Sequence, residues 1–239
     1  MNGAGKQWLA GVIGLLMGGT AVLLVGGTGA FASDGDRASI EAVVREYILN
    51  HPEIIPEAMG KLQERETAKL LAAHRSQLET PFAGAWAGAK APDATLVMFT
   101  DYSCGFCRAS VSDVDRLLAE DKKLRIVWRE LPILGPGSDE AARAGLSAAK
   151  QGRYMAFHRG MFAAGLPSTA KIAQVSRAAG ISSIGGADVD REITANIELA
   201  RALGLSGTPA FVVGDKLLNG AVGYAALRKA VDEARAKKG

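Results

Sequence analysis

Two cysteines make up the whole thiol complement of this 239-residue chain, and they stand three positions apart in Cys104-Gly105-Phe106-Cys107. The apolar run Thr95-Leu96-Val97-Met98-Phe99 precedes them and reads as a buried strand. Val111, Val114, Leu117 and Leu118 follow at helical spacing. A C-x-x-C between a strand and a helix puts its sulfurs one helical turn apart, within reach of a small disulfide ring. Cys104 falls at the helix N-terminus, where unpaired N–H groups and the macrodipole favour a thiolate. It is the expected exposed, attacking sulfur, and Cys107, one turn inside, the expected resolving thiol. Other uses of the pair fit less well. A structural disulfide framework needs spaced pairs that close long loops. A zinc site takes four ligands, and the chain has no second cysteine pair. His51, His74 and His158 fall on separate predicted helices at no ligand spacing, so no metal site is expected. Ser103 has no histidine partner visible for hydrolase chemistry.

Gly207-Thr208-Pro209, directly before the apolar run 210–213, is the second chemical signal. A cis bond at Thr208–Pro209 would set a sharp entry to a strand and hold the preceding backbone rigid. Within and beside the cysteine motif, Gly105, Phe106 and Tyr102 are candidate site-shaping residues, with Tyr102 and Asp101 expected at the rim.

The elements around these residues follow from periodicity. Residues 95–99, the helix after Cys107 and an apolar segment at 125–131 give strand, helix, strand, hence a parallel pair. Helical patterns fill residues 138–205, with Ser138 as the expected N-cap of the first and glycines as punctuation. Residues 210–213 and 216–218 read as a hairpin around Gly214-Asp215, and 224–237 as a closing amphipathic helix. Upstream, residues 80–94 are rich in Gly, Ala and Pro and read as a flexible linker with a short strand near Trp86. Residues 33–78 look helical. Ile40, Val43, Val44, Tyr47 and Ile48 form one stripe, and Ile54, Ile55, Met59 and Leu62 another after a break at Asn50-His51-Pro52-Glu53. Such a thin seam is buried either by self-association or by packing back on the main domain.

The leader resembles an export signal: Lys6, an uncharged apolar stretch over residues 8–25, then Ala30-Phe31-Ala32 before Ser33. An uncleaved membrane anchor is the alternative. Either places the rest of the chain in an oxidising compartment. The charge balance, 28 basic against 25 acidic residues, gives no case for a nucleic-acid partner.

With these residues in view, the chain resembles the DsbA-like thiol-disulfide oxidoreductases, most closely their ScsC (suppressor of copper sensitivity) branch. The likeness rests on FTDYSCGFCR at 99–108, LPILGPGS at 131–138, AKQG at 149–152, GTPAFVV at 207–213 and, upstream, YILNHPEIIPEAM at 47–59. The resemblance implies an α/β thioredoxin-like fold with a helical insertion at about 138–205 and an N-terminal helical extension. It implies Cys104 as nucleophile, Cys107 as resolving thiol, and Thr208-Pro209 as a cis-proline loop that binds substrate. No cofactor beyond the Cys104–Cys107 disulfide is implied. The expected domains are a signal peptide or anchor at 1–32, a helical segment at 33–80, and a catalytic domain at 81–239. The implied partners are exported proteins bearing cysteines, a membrane redox partner of the Dsb type, and further copies of the chain bound through residues 40–78. A periplasmic or extracytoplasmic location follows. Two departures stand out. Met98 occupies a strand position where the family often has a buried acid, leaving that role to Glu130 or water. Gly105-Phe106 replaces the Pro-His of strongly oxidising relatives, so a weaker oxidant is expected, because Phe106 cannot donate to the Cys104 thiolate. The alternative reading is a periplasmic copper(I)- or thiol-binding chaperone, since two thiolates suit soft copper(I).

Overall fold

The structure, a computed structural model, describes residues 34–237. The leader at residues 1–32 lies outside them. Among the described residues the chain divides into two compact units, residues 34–58 and 59–237.

In the first unit, α1 spans Asp34–Asn50. Its Ile40, Val43, Val44 and Tyr47 are all exposed. The Asn50–Glu53 break precedes α2, Ile54–Ala73. Pro52 stands ahead of that helix, and its carbonyl accepts from the Ile55 N–H.

The second unit holds α2 from Met59 onward and then, in chain order, α3 Arg75–Glu79, β1 Trp86–Gly88, β2 Ala94–Thr100, α4 Gly105–Glu120 and β3 Leu124–Glu130. Four helices follow, α5 Pro136–Lys150, α6 Tyr154–Ala164, α7 Thr169–Ala178 and α8 Ala187–Ala202, and then β4 Ala210–Val213, β5 Lys216–Asn219 and α9 Tyr224–Ala236. The strands form one sheet in the order β1-β3-β2-β4-β5. β2 and β3 are parallel, while β1 on β3, β4 on β2 and β5 on β4 are antiparallel. This is the DsbA-like thioredoxin arrangement expected from the sequence, with helices inserted between β3 and β4.

Helices cover both sheet faces, which is why β2 is buried along its whole length, with an unbroken apolar run from Leu96 to Phe99. Successive residues still point opposite ways. Leu96, Met98, Ile126, Trp128, Phe211 and Val213 meet Val114 and Leu117 of α4, Phe157 of α6 and Leu227 of α9. Val97, Phe99, Val127 and Val212 meet Leu199 of α8 together with Leu71 and Leu78. Leu71 and Leu78 are therefore core residues of the second unit, each worth about 2–5 kcal/mol on truncation to Ala.

Two expectations are corrected here. Residues 80–94 are not a loose tether. The Gly84 N–H donates to the Ala149 carbonyl at 3.1 Å, the Ala85 carbonyl accepts from Trp128 at 3.0 Å, and Ala85 is fully buried. A Cβ at Gly84 would stand 2.7 Å from the Ala149 oxygen, so the small residue serves a close backbone approach. Arg129 reinforces the join, donating to the carbonyls of Gln77, Leu78 and Thr80 and to Glu192 and Asn196 of α8. Second, Ser138 is not an N-cap. Gly135, at φ 118°, takes that place, and Pro136 opens α5 where its missing N–H costs nothing.

Candidate active site

Because β2 and β3 are parallel and Thr100 pairs with Glu130, their C-terminal ends emerge at one edge of the sheet. β4 runs the other way and begins there, with Ala210 opposite Phe99. Residues 101–104, 131–134 and 208–209 thus converge.

Cys104 is the N-cap of α4. Its sulfur accepts from the Cys107 N–H at 3.4 Å, a role more often filled by a Ser, Thr or Asp oxygen. The same thiol donates to the Thr208 carbonyl at 3.1 Å. The Thr208–Pro209 peptide bond is cis. Both cysteines are free thiols. Cys104 retains 5% exposure, not the open surface expected of it, because it folds back over the first turn of α4 and against Thr208. Cys107 is fully buried, and burial pushes its thiol up to about 12, against weaker downward pulls from the Asp101 backbone and the Thr208 side chain. Gly105 and Phe106 lie on the surface between them, with Phe106 69% exposed.

Tyr102 does not shape the rim. It is buried with its ring against Phe157, His158 and Phe162, and its hydroxyl donates to Glu130 Oε1 at 2.8 Å. Tyr154 donates to the same oxygen at 2.8 Å. The carboxyl of Glu130 is fully buried, and that burial pushes it up to about 8 despite the two phenols. His158, with Nδ1 3.4 Å from the Tyr102 hydroxyl, is pushed down to about 3, again by burial. Gly145 of α5 makes room for this cluster: a Cβ there would come within 2.8 Å of the Tyr102 hydroxyl. Met98 lies buried on β2, and the buried acid within the strands comes from the end of β3 instead.

Asp101 is also buried rather than at the rim. Its Oδ1 accepts from the Ser103 N–H and its Oδ2 from the N–H groups of Ile133 and Leu134. Sequence reasoning placed Asp101 nearby but missed this clamp, and it named Glu130 as a stand-in acid but missed the Tyr102, Tyr154 and His158 gathered around it. The available signal was an acid closing an otherwise buried strand: nothing apolar surrounds a carboxyl at the end of β3 without partners to satisfy it. Among the described residues, no group of three or more His, Cys, Asp or Glu side chains is gathered for a metal ion.

Comparison with known proteins agrees with this geometry. The family model of the DSBA-like thioredoxin domain matches residues 95–232, and that of the copper resistance protein ScsC N-terminal domain matches residues 36–69. A linker-deletion mutant of ScsC from Proteus mirabilis is similar at a TM-score of 0.70 and 30% identity, over 88% of this chain and 100% of that one. A thioredoxin-like oxidoreductase from Silicibacter pomeroyi gives 0.63 and 38%, over 66% and 95%. The thiol-disulfide exchange protein alpha-DsbA2 from Wolbachia pipientis gives 0.65 and 27%, over 72% and 97%. Among curated proteins, a Na(+)/H(+) antiporter NhaA of Salinispora tropica is 28% identical over 158 residues, and the chain spans only 24% of its length. With a dithiol at the N-terminus of α4, a cis-proline facing it and helices inserted between β3 and β4, this chain belongs to the DSBA-like thioredoxin family, in its ScsC branch.

Proposed function

We propose that the protein is a thiol-disulfide oxidoreductase acting on cysteines of exported polypeptides through Cys104 and Cys107. The observation that carries this reading is the Cys104 sulfur, held between the Cys107 N–H and the Thr208 carbonyl at a helix N-terminus. Starting from the dithiol, the Cys104 thiolate attacks one sulfur of a substrate disulfide. A mixed disulfide forms, and the other substrate sulfur leaves as a thiolate that takes up a proton. A second substrate thiolate then attacks the mixed disulfide, which rearranges the substrate and returns Cys104. Alternatively, Cys107 loses its proton and attacks Cys104, which reduces the substrate and leaves the protein oxidised. Run backwards from the Cys104–Cys107 disulfide, the same steps oxidise a substrate dithiol. Net oxidation needs a disulfide-bearing redox partner to reset the protein, for which a membrane protein of the Dsb type is suited. The backbone of Thr208 can align a substrate strand beside Cys104.

An extracytoplasmic location fits, because a disulfide of this kind turns over where thiols are not held reduced. Self-association belongs to the same reading: α1 and α2 expose Ile40, Val43, Val44, Tyr47, Ile55, Met59 and Leu62. Copies joined there would bring several dithiols to one substrate and favour isomerisation through raised effective concentration. Copper(I) binding by the two thiols is the second reading, in keeping with the copper resistance name of the N-terminal family model. It makes no use of Thr208-Pro209.

Trapping separates the two sulfurs. The Cys107→Ala variant should accumulate mixed disulfides with cysteine-bearing polypeptides, and the Cys104→Ala variant should accumulate few, as read by non-reducing mass analysis. Equal trapping by both would contradict the assignment of roles.

A further inference from the structure

The exchange steps above make no use of the seam between α4 and α6. Cys104, Arg108 and Ser112 follow one another at four-residue spacing, with Asp115 a further turn on, so they share one stripe of α4. The Arg108 N–H donates to the Cys104 carbonyl at 3.1 Å. Arg108, Ser112 and Asp115 line one wall of a recess of about 580 Å³, and Arg159 and Phe162 of α6 line the other. The recess thus begins one helical turn from the residue that carries the attacking sulfur.

Its charges do not balance. Arg159 donates to both carboxylate oxygens of Asp115, with Nη2 2.7 Å from Oδ1 and Nε 3.2 Å from each oxygen, and is neutralised there. Arg108 has no ion-pair partner among the described residues, and its Nε and Nη2 are buried without a hydrogen-bond partner. Two arginines and one aspartate are the charged residues of the recess, which leaves one positive charge over. Drawing a guanidinium out of water unpaired carries a cost that an anion beside it offsets. That charge is spread over the whole planar group, so a carboxylate seated in the recess is attracted without touching the two buried nitrogens. The Ser112 hydroxyl is a further donor, engaged only with the Ala109 carbonyl at 3.5 Å. We propose that this recess binds a carboxylate carried near the reacting sulfur of the substrate, so that Cys104 exchanges preferentially with thiols and disulfides that have an acidic group close by. Two carriers share that chemistry: a polypeptide with an acidic residue beside its cysteine, and a small thiol bearing its own carboxylate. The proposal rests on the thiol-exchange reading and gives it a substrate class.

The test compares exchange rates of the full chain as ratios, acidic substrate over neutral. One pair is two peptides of identical sequence, each with a single cysteine held as a mixed disulfide with 2-mercaptoethanol, and with Glu or Gln two residues from it. The other pair is the symmetrical disulfides of 3-mercaptopropionic acid and of its amide. Arg108→Met keeps much of the apolar stem and removes the charge. It should lower the ratio about three- to fivefold, the scale of a partly screened ion pair. Asp115→Asn frees the Arg159 charge and should raise the ratio. The effect of Arg108→Met should shrink at high salt. A purely structural role would reduce the folded fraction and scale both rates of a pair together, leaving the ratio untouched. A shift confined to the peptides assigns the recess to acidic polypeptides, and one confined to the small disulfides assigns it to an acidic small thiol. Should Arg108→Met fold poorly, Asp115→Asn, at a more exposed side chain, decides alone. A ratio that Arg108→Met leaves unchanged in both pairs, or that Asp115→Asn fails to raise in either, overturns the carboxylate site. Absence of exchange with all four substrates overturns the dithiol reading itself.

Discussion

Beneath the dithiol, burial pushes two neighbouring side chains toward neutrality from opposite directions. Glu130 rises from 4.5 to about 8, and His158 falls from 6.5 to about 3. For Glu130 the folded value lies above the unfolded one, so its contribution to stability is complete below about pH 4.5 and is lost as pH rises toward 8. For His158 the folded value is lower, so its contribution is complete above about pH 6.5 and is lost as pH falls toward 3. The two oppose each other between 4.5 and 6.5, and only Glu130 acts between 6.5 and 8. Glu130→Gln retains an oxygen for Tyr102 and Tyr154 but cannot ionise. Relative to the unsubstituted protein, it should gain on the order of 1 kcal/mol per pH unit across that upper window. Urea unfolding at pH 6.5 and pH 8 measures this, and an unchanged difference between the two proteins at both pH values would remove Glu130 as the titrating group. Cys107 is shaped by the same physics. A thiol pushed up to about 12 is a slow attacker and a reluctant leaving group until it loses or gains its proton, which suits a resolving position more than a first encounter.

The elements that carry the cysteines were legible because their signals are local. An unbroken apolar run before the motif gave β2, helical spacing after it gave α4, and Gly214-Asp215 between short apolar runs gave the β4–β5 hairpin. The cis bond at Thr208–Pro209 was anticipated from a proline placed directly before a strand, in the company of a C-x-x-C. What escaped was settled by contacts far apart in sequence. The Gly- and Ala-rich stretch at 80–94 reads as flexible, yet its small residues allow the chain to lie against Ala149 and Trp128. Ser138 reads as an N-cap, but Gly135 and Pro136 start α5 earlier, and the serine is spent on Ser103. Tyr102 reads as a rim residue because it adjoins the motif, while its side chain in fact reaches Glu130, whose partnership depends on the β2–β3 register. Leu71 and Leu78 look like the fading end of an assembly seam, and they are instead core residues under the sheet.

That last point redraws the boundary of any assembly surface. A truncation near residue 80 would remove Leu71 and Leu78 from the core of the second unit, so it would confound assembly with folding. Substitution is cleaner. If α1 and α2 join copies of the chain, Val44→Glu with Met59→Glu should reduce the solution mass from a multimer to a single chain of about 25 kDa while leaving the fold intact. A mass equal to that of the unsubstituted protein would leave these helices without an assembly role, and with it the isomerase direction would lose its support. Among the described residues no helix is long and apolar enough to cross a membrane. The whole reading depends on Cys104 and Cys107 acting as one redox unit. Equilibrating the protein against graded ratios of a small dithiol and its disulfide, then quenching, alkylating and weighing it, reads this without any physiological substrate. Both cysteines should convert together, as a single two-electron couple that shifts about 30 mV per tenfold change in the ratio. Two thiols that stay reduced across the range, or that oxidise one at a time, would contradict the account.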